Sequence, residues 1–249
     1  MGQRRVHHAL IRLVKSPTRR HTSPPCLDRM VGVSFEEVSE RMSLAVARSG
    51  RAPGDVTLVA VSKTKSVEDI LAVYEKGHRD FGENRAQEMA EKAAQLPDDI
   101  RWHYVGALQS NKARLIRPST HLLHSMDRMS LASVWAKGQG MAPPVLIQVN
   151  TGEEPQKSGV IPGETESLVD RVLAMGIEVR GLMAIPPLSE DPEETRPHFR
   201  WLAVLRDRIR ERSPGVTDLS MGMTDDFEVA IEEGASFIRV GRAIFGARN

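Results

Sequence analysis

Apolar and polar residues fall into blocks along the chain, and the blocks change period in a regular order. From Val33 to Ser49, "VSFEEVSERMSLAVARS" places apolar residues at Phe35, Val38, Met42, Ala45 and Val46. That is the spacing of a helix, with Ser34 as its N-cap and Gly50 as its stop. The run "VTLVAVS" that follows is short and continuous, as in a strand covered on both faces. The two-part unit then recurs. Helices are predicted at 66–76, 85–95, from 110, and at 127–137, 164–174, 193–212 and 225–233. Between them run a short strand entering "DFGENR", then "IRWHYVG", "THLLHS", "PVLIQVN", "IEVRGLM", "VTDLS" and "SFIRVG".

Eight strand-then-helix units imply parallel strands joined by right-handed crossovers. An open doubly wound sheet satisfies the same pattern. Eight units without a long interruption in 249 residues favour closure instead: an α/β fold, a single (β/α)8 TIM barrel preceded by an N-terminal helix. The barrel domain is expected over 30–249, after a basic leader at 1–29.

Charge sharpens the division. Residues 1–29 hold seven Lys/Arg against the single acid Asp28, a net of +6, while the rest of the chain carries a net of −5. A mildly acidic body argues against nucleic acid as a partner. The leader, Arg-rich and nearly free of acids, reads as disordered; organelle targeting and a functional arm remain as alternatives. Its apolar stretch "ALIRLV" is too short for a secretory signal, and no run approaches a membrane span. The single cysteine, Cys26, removes an internal disulfide and fits a reducing cytoplasm, the expected location. A monomer is expected.

In such a barrel the chemistry sits at the C-terminal strand ends. Those ends carry Ser62-Lys63, Glu83-Asn84, Gly106 with Ser110, His124-Ser125, Asn150, Met183, Ser220-Met221-Gly222 and Arg239-Val240-Gly241. The set is rich in polar donors and glycine and lacks the paired carboxylates of glycosidase or two-metal chemistry. Gly222 and Gly241 free backbone amides after strands seven and eight, where barrels of this type bind phosphate. Thr224 is placed to cap the next helix. A lysine on strand one facing such a site suits a phosphorylated aldehyde held as a Schiff base. Equally, Lys63 is readable as a rim cation with its stem on the barrel. Lys65 lies two residues further into the loop. His121 and His124, three apart in a strand, point to opposite faces and make a poor metal pair; His103 reads as a core or rim histidine.

The segments "VAVSKTK", "FGENRAQE", "WHYVGALQSNK", "HSMDR", "VLIQVN", "RGLMAIPP" and "LSMGMTDDFEVAIEEGASFIRVGRAIFGAR" run in order over nearly the whole body. Together they resemble the YggS/PROSC family of pyridoxal 5′-phosphate (PLP) homeostasis proteins, whose fold resembles the barrel domain of alanine racemase. The resemblance implies PLP as cofactor, with Lys63 its Schiff-base lysine and Lys65 a loop residue. It implies that Ser220, Met221, Gly222, Gly241 and Arg242 hold the phosphate and that Arg239 lies beside the pyridine nitrogen. Asn84, Ser110 and Met183 match positions lining the pocket. It also implies storage or delivery of PLP to PLP-dependent apo-enzymes, without dedicated turnover. A racemase would need a second acid/base opposite Lys63, and the two tyrosines, Tyr74 and Tyr104, read as helical and mid-strand. A racemase-like PLP enzyme and a barrel for a non-aldehyde phosphate stay as the other readings. Ala107 and Arg85 depart from the family pattern.

Overall fold

The computed structural model describes residues 28–246. Eight parallel strands among them close into a barrel in chain order. They are β1 (Thr57–Val61), β2 (Asp80–Glu83), β3 (Arg101–Tyr104), β4 (Thr120–Met126), β5 (Val145–Val149), β6 (Val179–Ala184), β7 (Asp218–Ser220) and β8 (Phe237–Val240). The seam is made by β1 and β8, with Val59 opposite Arg239 and Ala60 opposite Val240. The helices between strands are α2 (Val67–Tyr74), α3 (Ala86–Ala93), α4 (Ala113–Ile116), α5 (Met129–Trp135), α6 (Thr165–Leu173), α7 (Arg196–Arg210) and α8 (Phe227–Glu232). A short α9 (Arg242–Phe245) follows β8. The expected (β/α)8 fold is the observed one.

The helix before the barrel is longer than its periodicity suggested. α1 (Asp28–Arg48) starts upstream of Val33, so Ser34 lies inside the helix and does not cap it. Nothing from Asp28 to Ser34 stops helix propagation except Gly32, whose cost is only about 1 kcal/mol. Asp28 and Arg29 therefore belong to α1, and the rest of the expected leader lies outside the described residues. α1 packs on α8 and α9, and Arg41 Nε donates to Glu228 Oε1 at 2.8 Å. At α2 the sequence signals hold closely: Ser66 and Asp69 form a reciprocal capping box, and Gly77 turns the chain at φ +90°.

Strand parity divides the core in two. Outward residues such as Leu58, Ala60, Phe81, Leu123 and Ile147 pack beneath the helices. Inward Val59, Leu122, Leu146, Met183 and Phe237 form a separate cluster on the barrel axis. Two strand glycines make room. A Cβ on Gly82 would meet Val59 Cγ1 at 2.8 Å, and one on Gly181 would collide with the backbone of Asp218 on β7.

The end of β1 is fixed from three sides. Ser62 N donates to Gly82 C=O at 2.9 Å, and Ser62 Oγ donates to Glu83 Oε1 at 2.7 Å. Its own carbonyl accepts from Lys92 Nζ at 2.8 Å. Lys92, on α3, also reaches Glu83 Oε1 and Glu88 Oε1, each at 2.7 Å. Glu88 in turn accepts the backbone N–H of Thr64, which sits at φ +63°. Glu83 is fully buried, and that burial pushes its carboxyl up while Lys92 pulls it down. Lys63 thus stands between two immobilised neighbours.

Lys92→Met should cost about 3–5 kcal/mol, because it strands a buried carboxylate. Glu83 then titrates from a still higher folded value, so its folded form takes up a proton that the unfolded chain does not. The loss should therefore be smaller at acid pH and grow as pH rises. Urea denaturation across about pH 5 to 8, run beside a Lys92→Met/Glu83→Gln double variant that recovers most of the loss, checks this. Gly181→Ala should destabilise by about 1–3 kcal/mol, since backbone has to move; equal denaturation midpoints would show that β6 and β7 can part at no cost.

Candidate functional site at the barrel mouth

A cavity of about 530 Å³ opens at the C-terminal ends of the strands. Its walls come from opposite ends of the chain. Val61 ends β1 and Lys63, Thr64 and Lys65 follow it; Arg239 lies in β8 and Gly241 and Arg242 follow it; Met223, Thr224 and Asp225 follow β7. Asn84, Val105 and Ile185 complete the lining from β2, β3 and β6. This volume suits a small cofactor. Lysine and arginine outnumber Asp225 on its walls, so the field favours an anion.

The two lysines differ in their surroundings. Lys65 Nζ donates to the carbonyl of Phe245, the last residue of α9, at 2.8 Å. This bond ties the loop after β1 to the segment after β8. Lys63 follows the fixed Ser62 directly. Arg242 places its Nη2 at 2.8 Å from both carboxylate oxygens of Asp225, joining the loops after β7 and β8. Gly241 packs so tightly on β1 that a Cβ there would come within 2.9 Å of Val61 C=O.

Arg239 is the deepest polar residue of the lining. Its Nη1 donates to Ser220 Oγ at 2.6 Å and its Nη2 to Ala184 C=O at 3.0 Å. Burial lowers its pKa to about 10, with Asp226 opposing that shift through space, so it stays cationic near neutral pH. Below it, a line of polar side chains descends through the barrel. Ser220 Oγ lies 2.7 Å from His124 Nδ1, His124 Nε2 lies 2.8 Å from His103 Nδ1, and His103 Nε2 lies 3.1 Å from Asp80 Oδ1. Arg101 grips Asp80 from the floor, through Nε at 2.7 Å and through Nη2. Burial alone would push the Asp80 carboxyl up, but hydrogen bonds from His103 and Arg101 hold it well below the usual range. Desolvation lowers His103 and His124, and His124 falls well below the usual imidazole value with the cations Arg239 and Arg180 nearby.

Of the residues singled out from sequence, Lys63, Asn84, Arg239, Gly241 and Arg242 come together in the cavity lining. Ser110, Met183, Ser220, Met221 and Gly222 do not line it. Ser220 and Met183 point into the sealed barrel interior, and Met221 packs outward beneath the helices. Gly222, at φ +88°, turns the chain where a Cβ would strike Ala230. Ser110 accepts from Arg128 at 3.4 Å beside a second cavity, lined by Arg85, Gln109 and Lys112 among others. The physical reason is one of length: β7 ends at Ser220, and the chain after it reaches the cavity only at Met223, three residues later.

Sequence reasoning passed over Thr224 as a pocket residue. It was expected to cap the following helix, but the residue at that position is Asp226, whose Oδ1 accepts from Met223 N at 2.7 Å. His103 and His124 were read as unrelated. A register shift between Trp102 and His103 brings the ring of His103 to 5.1 Å from that of His124 and 5.5 Å from that of His121. The parity of inward positions on β2, β3, β4 and β7 was the available signal. Among the described residues, no cluster of three His, Cys, Asp or Glu could hold a metal ion, and no helix is long and apolar enough to cross a membrane.

Comparison with known proteins places this geometry in a family. The family model described as "Alanine racemase, N-terminal domain" matches residues 40–249. A protein of Aquifex aeolicus named "Pyridoxal phosphate homeostasis protein" is 43% identical over 220 residues, 86% of this chain and 96% of that one. PipY of Synechococcus elongatus, in a structure described as having PLP bound, is 34% identical with a TM-score of 0.72, over 84% of this chain and 100% of that one. A Bifidobacterium adolescentis protein, described as "an unknown protein", reaches a TM-score of 0.84 at 32% identity, over 91% of this chain and 98% of that one. The chain belongs to the alanine racemase N-terminal domain family and, within it, groups with the pyridoxal phosphate homeostasis proteins.

Proposed function

We propose that this chain binds PLP at the barrel mouth and holds it for storage or delivery to PLP-dependent apo-enzymes, without a turnover of its own. One observation carries the reading: the amine of Lys63 and the guanidinium of Arg239 converge on a single cationic cavity from neighbouring strands. The name of the Aquifex relative and the PLP in the PipY structure support it.

The donor set fits the cofactor. Lys63 would supply the amine that holds the aldehyde carbon, with loss of one water. Arg239 carries only donors, so beside the ring nitrogen it would leave that nitrogen without a proton near neutral pH. The Thr224 hydroxyl and the backbone at Gly241 offer hydrogen bonds to the phosphate, with Arg242 close by. Bound PLP supplies an electrophilic carbon and a ring that draws electrons from it; an unprotonated ring draws them less well than one paired with a carboxylate.

The tyrosines support holding over turnover. Neither lines the cavity. Tyr104 donates to Asn84 C=O at 2.9 Å, and burial pushes its phenol up to about 12. Tyr74 donates to Asp99 at 2.8 Å on the helical layer. A proton on the face opposite Lys63 would need another source.

The purified chain loaded with PLP should be yellow, and borohydride should fix the chromophore to the peptide carrying Lys63. Lys63→Ala should abolish the fixed label. A label that persists in Lys63→Ala, or maps to Lys65, overturns the lysine assignment. Deuterium from solvent entering the α-carbon of an amino acid at an enzyme-like rate would overturn the absence of turnover.

A further inference from the structure

Holding PLP needs Arg239, but it does not obviously need the imidazole pair beneath it. The line from Arg239 to Asp80 nevertheless has a fixed direction, which follows from the donor inventory alone. A guanidinium has no acceptor, so Ser220 Oγ accepts from Arg239, and its one hydrogen goes to His124 Nδ1. That nitrogen therefore carries none. A neutral His124 bears its hydrogen on Nε2 and donates it to His103 Nδ1. A neutral His103 then donates from Nε2 to the Asp80 carboxylate. The ionised end at Asp80, held by Arg101, imposes the same direction from below. Each hydrogen between Arg239 and Asp80 has its own acceptor, so reversing one imidazole sets two donors, or two acceptors, facing each other in a buried interior.

We propose that His124, backed by His103 and Asp80, is a positioning residue for the cofactor site: by accepting the Ser220 hydrogen it fixes which N–H groups of Arg239 are engaged inside the barrel and which face the ring nitrogen of PLP. The inference rests on the reading of Arg239 given under the proposed function. Arg239 has five N–H groups, and Ser220 and Ala184 take one each. Loss of the acceptor at His124 frees the Ser220 hydroxyl to turn, and the guanidinium loses its lower anchor. A charged His124 would do worse, since its Nδ1–H would point at an oxygen already facing Arg239. The charged groups around the pair are Asp80, Arg101, Arg180 and Arg239, with His121 at the edge and Asp226 beyond Arg239, and positive charge predominates.

Two measurements on the full chain test this. Nitrogen-15 NMR of the histidine rings should show both His103 and His124 neutral, with hydrogen on Nε2 only, over about pH 6 to 8, around the ordinary histidine value. An Nδ1–H or doubly protonated His124 overturns the inference, and needs no bound cofactor to be seen. In PLP-loaded protein, His124→Phe should raise the PLP dissociation constant by about tenfold, the loss expected for one hydrogen bond to a charged group, and move the visible band. His124→Asn, whose amide oxygen can accept from Ser220, should restore both to near the parent values. A folded His124→Phe with the parent's band and dissociation constant would leave the imidazole a merely structural role and overturn the inference. If His124→Phe does not fold, Ser220→Ala carries the same test, because it cuts the link and keeps both rings. A parent chain that binds no PLP would overturn the proposed function itself; variants that bind as the parent does would overturn only the positioning role.

Discussion

A guanidinium buried inside a barrel must have its donors met by acceptors that do not neutralise it, and that requirement at Arg239 organises the interior. A carboxylate in contact would form an ion pair and draw the cation away from the mouth. Here the acceptors are a hydroxyl and a strand-end carbonyl, both neutral; Asp226 acts on the cation only through space, and Asp80, beyond two imidazoles, is already paired with Arg101. The hydrogens between Arg239 and Asp80 all point one way. The apolar cluster of Val59, Leu122, Leu146, Met183 and Phe237 fills the rest of the axis, which keeps water out and leaves the polar line no alternative partners.

The same economy of contacts appears outside the strands. Glu83, next in sequence to the inward Gly82, faces away from the axis, and its buried carboxylate would be costly alone. Lys92 answers it from α3 and, with the remaining hydrogens of its ammonium, reaches the carbonyl of Ser62 and the carboxylate of Glu88. One cation therefore fixes a strand end, a strand and a helix together. Thr64 shows the consequence: a β-branched residue is held in the left-handed region by its N–H bond to Glu88, which sets the direction of the chain just after Lys63.

Much of this was legible in residue order, because a parallel barrel writes each of its layers as a repeating block. The apolar runs at Leu58 and Leu146, and the glycine stops at Gly50 and Gly77, are local signals, and the structure keeps them. Counting strand ends placed Lys63 and Arg239 at the barrel mouth, and the structure puts both on the cavity wall; their roles came from the family motifs. What failed to show was whatever depended on where a strand truly ends or on register between strands. Ser220 is the strand end the sequence indicates, but its hydroxyl turns inward to Arg239 and His124, and Thr224 holds the place at the mouth. His103 and His124 sit twenty-one residues apart on neighbouring strands, and only the shift at Trp102 sets their nitrogens 2.8 Å apart. Such a distance is a property of the closed sheet, and no periodicity within either strand encodes it.

The bond from Lys65 to Phe245 joins residues 180 positions apart, across the seam where the first strand meets the last. The walls of the cavity are drawn largely from those two ends. A nascent or partly folded chain, whose early strands have formed but whose eighth has not docked, has no cavity at all. The ligand site is in this sense a certificate of completed topology: whatever binds there binds the closed barrel and returns its affinity as resistance to the barrel's reopening.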